Sequence, residues 1–204
     1  MIKLVSFSLL FASIVQAAPI VKSATNTLEI KLQDDNVEVQ LPETAFKALT
    51  QWNPEFVVFN KKDYSKSILE LFNDLGKDQM PMAFIDDLDG NEKKDIVLFG
   101  SDLKNQYVIA LLQRDKKWTL VKVAEWSIKD IKNSVIPSST VASATAADKS
   151  QTKETGVPIY VLPAQGEQAT KLKEKKKVGI QVETYMGNGD VYEIKNNKPV
   201  KFTL

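Results

Sequence analysis

The sequence contains no cysteine and no histidine. Without cysteine the chain forms no disulfide, offers no thiol nucleophile and has no residue for lipid attachment behind a leader. Without histidine it lacks the base of a Ser-His-Asp triad, the nitrogen ligands of a zinc site and the paired ligands of an HExxH helix. Carboxylates, hydroxyls and lysines are the chemistry that remains. Excess charge is missing as well: 27 basic residues against 26 acidic ones leave a net charge of +1, which is not the balance of a protein built to neutralise nucleic-acid phosphates. Glycine and proline are scarce, 8 of each in 204 residues, while 43% of residues are hydrophobic and 26% charged. That is the composition of a folded domain rather than a disordered chain. No apolar run reaches the ~20 residues that a membrane span needs.

What is present begins with a leader. MIKLVSFSLLFASIVQAA has Lys3 as a positive start, Leu4 to Val15 as an apolar stretch, and Val15-Gln16-Ala17 as a small-residue cleavage site. The cut is expected after Ala17, since a cut one residue later would leave Pro19 directly behind the scissile bond. Loss of Lys3 brings the net charge to zero. An exported chain without disulfides suits the bacterial periplasm or the secreted fraction, with no transmembrane anchor after cleavage.

Beyond the leader the sequence predicts an α+β fold. Alternating apolar residues from Thr27 to Leu41, interrupted by Gln33-Asp34-Asp35-Asn36, read as a hairpin with one buried face. Ala45, Ala48, Leu49 and Trp52 follow Pro42 at helical spacing until Asn53-Pro54, and Phe56 to Phe59 is extended. A second helix starts near Asp63 or Ser65, buries Ile68, Leu69, Phe72 and Leu75, and stops at Gly76. Met82–Ile85, Ile96–Phe99, Tyr107–Leu112 and Trp118–Val123 are β-rich runs whose connections are too short for crossover helices. They predict an antiparallel meander with the two helices packed on it. Trp126, Ile128 and Ile131 suggest a further helical turn. Residues 133–156, rich in Ser, Thr, Ala and Lys, read as a low-complexity loop. A C-terminal β segment, 157–204, is expected to complete the same domain as 18–132, with turns at Gly187–Asp190 and Asn196-Asn197.

One stretch carries readable chemistry. In Met82–Gly100, MAFIDDLDGNEKKDIVLFG, oxygen side chains fall at Asp87, Asp89, Asn91 and Asp95, positions 1, 3, 5 and 9 of a loop. Alternate residues of a tight turn aim inward, so this spacing suits a hard cation, with the backbone carbonyl of Lys93 at position 7. Five acids against Lys93 and Lys94 give the loop a charge of −3, which repels itself unless solvated or neutralised by an ion. The alternative is an empty, solvated turn at Asp89-Gly90-Asn91. An EF-hand is excluded: Glu92 and Leu98 occupy the positions where that loop needs Gly and a bidentate Glu.

DLDGNEKKDIVLFG resembles the calcium loop and following strand of FG-GAP and VCBS-type repeats, patterned DxDGDGxxD before two or three apolar residues. The resemblance covers about residues 82 to 125, in one copy. It implies calcium held by the side chains of Asp87, Asp89, Asn91 and Asp95 and the backbone of Lys93. The family usually has Gly where this chain has Glu92, whose Cβ strains the turn. Propellers built from several copies are not implied. The chain looks more like the small exported bacterial α+β proteins, mostly of unknown function, that carry one such loop and end in a strand pair like Val191–Leu204.

Other features have two readings each. The run Lys171–Lys177 is a patch for an anionic partner, such as a phospholipid surface or an acidic polysaccharide, or a solvated face. Trp52, Trp118 and Trp126 line a sugar-binding face or belong to the core. Catalysis is left with the carboxylate pair of a glycosidase, for which the acids at ligand spacing are poorly placed. The function expected is an exported, non-enzymatic binding or structural protein with one structural calcium. The alternatives are a periplasmic inhibitor or chaperone-like partner of an envelope enzyme, using the 133–156 loop, and a weak carbohydrate hydrolase. The partners expected are an envelope protein or a polysaccharide, and no nucleic acid.

Overall fold

The computed structural model describes residues 18–33, 36–76, 79–115, 117–129, 157–184 and 189–203. The leader, the low-complexity stretch, Ile131 and Gly187-Asn188 lie outside them. The fold is mixed α+β with mostly antiparallel sheets.

The N-terminal elements form a three-stranded sheet in the order β1 (Ile20–Lys22), β3 (Asn36–Leu41), β2 (Glu29–Gln33). β2 and β3 make an antiparallel hairpin whose alternation buries Val37, Val39 and Leu41 completely. β1 joins β3 in parallel, the one parallel strand pair among the described residues. Helix α1 (Glu43–Trp52) begins directly after Pro42 and buries Ala45 and Leu49. It ends at Asn53, which is extended because Pro54 disfavours helical geometry in the residue before it. β4 (Val57–Val58) follows, then a 3-10 turn over Lys61–Asp63 closed by a reciprocal Asn60/Asp63 capping box. Helix α2 (Lys66–Leu75) is capped by the Ser65 hydroxyl and stopped by Gly76 at φ +136°.

The central sheet contains β4, β6 (Asp95–Ser101), β7 (Asn105–Arg114) and β8 (Lys117–Ser127) in that order, with β5 (Ala83–Asp86) also paired to β6. All these pairings are antiparallel. β4 and β5 divide one edge of β6, β5 taking Asp95–Leu98 and β4 taking Gly100-Ser101. Gly100 is what lets β4 in: a Cβ there would stand 2.1 Å from the Val57 carbonyl oxygen and 2.8 Å from the Phe56 ring. Every residue of β6 is buried.

The C-terminal elements are β9 (Ile159–Pro163), helix α3 (Gly166–Glu174), β10 (Ile180–Thr184), β11 (Asp190–Lys195) and β12 (Lys198–Lys201). Their antiparallel sheet has the order β12-β11-β10-β9. Ile159 to Leu162, Ile180, Val182 and Ile194 join the N-terminal and central apolar residues in one buried cluster. Leu172 of α3 packs with Ala164 and Val191 in a smaller cluster.

One expectation needs correction in part. Trp126 is in β8, paired with Gln106, because the β7–β8 ladder continues to Ser127; the helical turn follows it, at Ile128-Lys129. α1 packs against β8 and the first sheet, but Phe72 of α2 meets Tyr160 of β9 edge to face at 5.4 Å. The Val157 N–H donates to the Asp63 carbonyl at 2.7 Å, which lays the start of the C-terminal segment beside α2. Trp52, Trp118 and Trp126 are each half-buried against the main cluster.

Candidate functional site

The acidic loop is the connection between β5 and β6. Their ladder ends at the pair Asp86↔Asp95, so the chain must reverse between these two residues. Asp87 organises the reversal: its Oδ1 accepts from the N–H groups of Gly90 and Asn91, and its Oδ2 from Glu92, at 2.8, 3.1 and 2.7 Å. Gly90 and Glu92 take left-handed backbone angles, φ +80° and +65°. Glu92 holds the position where the resembling repeats carry Gly, and it adopts the conformation that Gly tolerates best.

The structure brings together one carboxylate oxygen each from Asp87, Asp89 and Asp95 within 4.8 Å of one another. Asp95 is completely buried. Its Oδ2 accepts from the Leu88 N–H at 3.0 Å and its Oδ1 from the Gln113 N–H at 2.7 Å. The Asp95 pKa is raised to about 7: burial pushes it up most, those two N–H donors pull it down, and the charges of Asp89 and Asp87 add to the rise. Asn91 lies in the same loop, its Oδ1 accepting from the Lys93 N–H at 2.8 Å and its Nδ2 donating to the Gln113 carbonyl at 2.9 Å. The ammonium of Lys93 is turned away to Asp115, at 2.7 Å.

The cations nearby are unevenly shared. Lys94 is 3.7 Å from Asp86. Arg114, the only arginine in the chain, places Nη2 2.7 Å from Asp89 Oδ2. Among the described residues, the carboxylates of Asp87 and Asp95 accept from backbone N–H groups. Three convergent carboxylate oxygens are a donor set that fits a hard cation such as calcium. An arriving ion would share Asp89 with Arg114.

Residues that sequence reasoning missed tie this loop to the C-terminal segment. The Val178 N–H donates to the Asp87 carbonyl at 3.1 Å. Gly90 lies under the turn after α3, where a Cβ would come within 3.1 Å of the Lys176 carbonyl oxygen. Arg114 Nη2 also donates to Asn197 Oδ1, in the β11–β12 turn, at 2.9 Å. Gln113 contributes through its backbone, which no side-chain pattern reveals. Arg114 had one available signal, its being the sole arginine.

A separate cleft of about 250 Å³ is lined by residues including Ala18, Phe46, Leu49, Phe56 and Val57. No helix among the described residues is long and apolar enough to cross a membrane. No protein-family model, curated protein or solved structure matches the chain.

Proposed function

We propose that the chain is an exported, non-enzymatic binding or structural protein, periplasmic or secreted, in which the loop Asp87–Asp95 holds one structural calcium. The observation that supports this is the convergence of the Asp87, Asp89 and Asp95 oxygens within 4.8 Å, one of them from a fully buried side chain. Carboxylates so placed repel one another unless a cation is shared among them. In this reading β5 to β8 act as a meander whose first turn is the metal loop. The ion stiffens the turn on which residues 176–178 rest.

A metal that binds only the folded state stabilises it by mass action, so even a ~10⁻⁴ M affinity contributes about 1.4 kcal/mol at about 1 mM calcium. For a chain of this length that is a rise of about 3–6 °C in Tm. The test is a thermal melt of the purified protein in EDTA and in calcium, beside the double variant Asp87→Ala, Asp89→Ala. The reading requires a calcium-dependent rise in the native protein that the variant lacks. Equal melts in both conditions would leave the loop an empty turn.

A partner-binding role has its own observation. Leu103 is 82% exposed at the β6–β7 turn. That turn is rigid: the Asp102 carboxylate accepts from the Lys104 and Asn105 N–H groups at 2.7 and 2.8 Å, from the Asn53 amide at 2.9 Å and from the Tyr107 hydroxyl at 3.0 Å. A rigid, protruding apolar side chain suits the pocket of an envelope enzyme that this protein inhibits or chaperones. A partner recovered from envelope extract with the native protein and lost with Leu103→Asp would favour this role.

A further inference from the structure

The lysine-rich run that ends α3 is completed by a second segment of the chain. Lys195 on β11 and Lys198 on β12 occupy directly opposed register positions. The Lys195, Lys177 and Lys175 ammoniums lie 3.1, 3.2 and 3.7 Å from the carboxylate of Glu193, which is 2% exposed. One buried negative charge thus gathers three positive ones, a local surplus of two that exposed Lys198 raises to three. The Lys175 and Lys195 side chains keep about half of their surface in water, 48% and 49% exposed. Opposed like charges on neighbouring strands repel, so Lys195 and Lys198 cost the sheet stability and leave the face attractive to an anion.

The asymmetry extends over the chain. Residues 157–204 contain eight lysines and five acids, a charge of +3, while residues 18–132 contain 16 basic and 19 acidic residues, −3. A chain close to neutral overall therefore concentrates its positive charge in one sheet and helix.

We propose that this face docks an acidic polysaccharide, with Lys175, Lys195 and Lys198 meeting its carboxylate or sulfate groups, while the Lys177 ammonium, held by Glu193 Oε1 and the Ile194 carbonyl at 3.2 and 3.1 Å, anchors the cluster from below. Lysine ammoniums are point charges on flexible stems, without the fork geometry through which arginine selects one planar group. They suit a repeating polyanion. A phospholipid surface fits less well: the ring beside the cluster, Phe202, is half-buried with the Lys175 ammonium 5.0 Å from its centroid, where it cannot enter a bilayer.

Titration calorimetry of the purified protein with polygalacturonate, with neutral dextran as control, tests it. Saturable binding to polygalacturonate alone is expected, weakening roughly tenfold or more between about 50 and 200 mM NaCl as counterions compete. The double variant Lys195→Gln, Lys198→Gln should lose at least about tenfold in affinity by removing two of three contacts. The charge-matched Lys62→Gln, Lys66→Gln pair near α2 should bind as the native protein does. Lys198→Gln alone, which leaves the Glu193 ion pairs in place, should show a partial loss, so the outcome does not hang on one variant's folding. Absence of binding at low salt, equal loss in both double variants, or binding to phosphatidylglycerol vesicles in place of polygalacturonate would overturn the proposal.

Discussion

The stability of this protein in the absence of metal should fall as the pH rises from 5 to 7.5, and one side chain should account for it. Asp95 is raised from 3.8 to about 7, first by burial and then by the Asp89 and Asp87 charges, against two backbone N–H donors that favour its ionised form. Because the folded pKa exceeds the unfolded one, the native state binds more protons than the unfolded chain between those values. The stability linked to Asp95 is therefore fully present below about pH 4 and is lost as the pH rises through 7. At pH 5 the native carboxyl lies about two units below its pKa and at pH 7.5 above it, so the difference between those pH values is about 2.5 kcal/mol. The chain has no histidine, which removes the side chain that ordinarily titrates in this window.

Other perturbed carboxyls do not mask the effect. Burial pushes Glu193 up, but Lys195, Lys177 and Lys175 outweigh it and hold its pKa below the usual glutamate value. Asp102 is likewise held low by its N–H, amide and hydroxyl donors despite some desolvation. Both are ionised in folded and unfolded states above pH 5. Asp63 is raised, by burial against the Asn60 N–H donor, and adds a slope of the same sign. Urea unfolding in EDTA at half-unit pH steps measures the slope, and Asp95→Asn isolates it. That variant keeps the shape but loses one acceptor for the Leu88 and Gln113 N–H groups, so it should be less stable at pH 5 and lose the Asp95 share of the slope, keeping only that of Asp63. With calcium saturating, the native slope should flatten, because a metal selects the ionised carboxyl. Native stability that is level or rising between pH 5 and 7.5 in EDTA, or a slope undiminished in Asp95→Asn, would refute the reasoning.

Three further substitutions test particular contacts. Gly100→Ala places a Cβ 2.1 Å from the Val57 carbonyl, and should cost about 3 kcal/mol or more by forcing β4 off β6; a variant that melts like the native protein would show that the edge yields easily. Glu92→Gly relieves a left-handed residue, φ +65°, worth about 1–2 kcal/mol, against the added chain entropy of about 0.4–1 kcal/mol. A net gain of about 0.5–1 kcal/mol in urea unfolding is expected, and a loss would mean that the Glu92 side chain has a role of its own. Arg114→Gln leaves Asp89, whose side chain is 5% exposed, without its guanidinium and should destabilise by about 1–3 kcal/mol. Amide exchange at Asn197 should quicken in that variant, since Arg114 also holds the Asn197 side chain, and unchanged exchange would disprove the link.

The parts of this fold that could be read from sequence are those whose causes are local. Ser65 and Gly76 announce the ends of α2 because a cap and a left-handed stop act within one turn. The alternation of Val37, Val39 and Leu41 announces β3 because a strand's buried face is written every second residue. β1 and β4 are three and two residues long; they are strands only because β3 and Gly100-Ser101 offer them an edge, and nothing in Ile-Val-Lys or Val-Val specifies that edge. The acidic loop divides along the same line. Its ligand spacing is contiguous, so the convergence of Asp87, Asp89 and Asp95 could be expected from the residues themselves. How its charge is met could not, since Arg114 arrives from the far end of β7, and Val178 and Asn197 from the C-terminal segment. Lys195 and Lys198 likewise complete the basic face only through the β11–β12 register. Whether an acidic turn is a metal site or a solvated bend depends on which cations the fold delivers to it. Among the described residues that delivery is tertiary: Arg114 reaches Asp89 from the end of β7, while Asp95 stays buried on two backbone N–H donors.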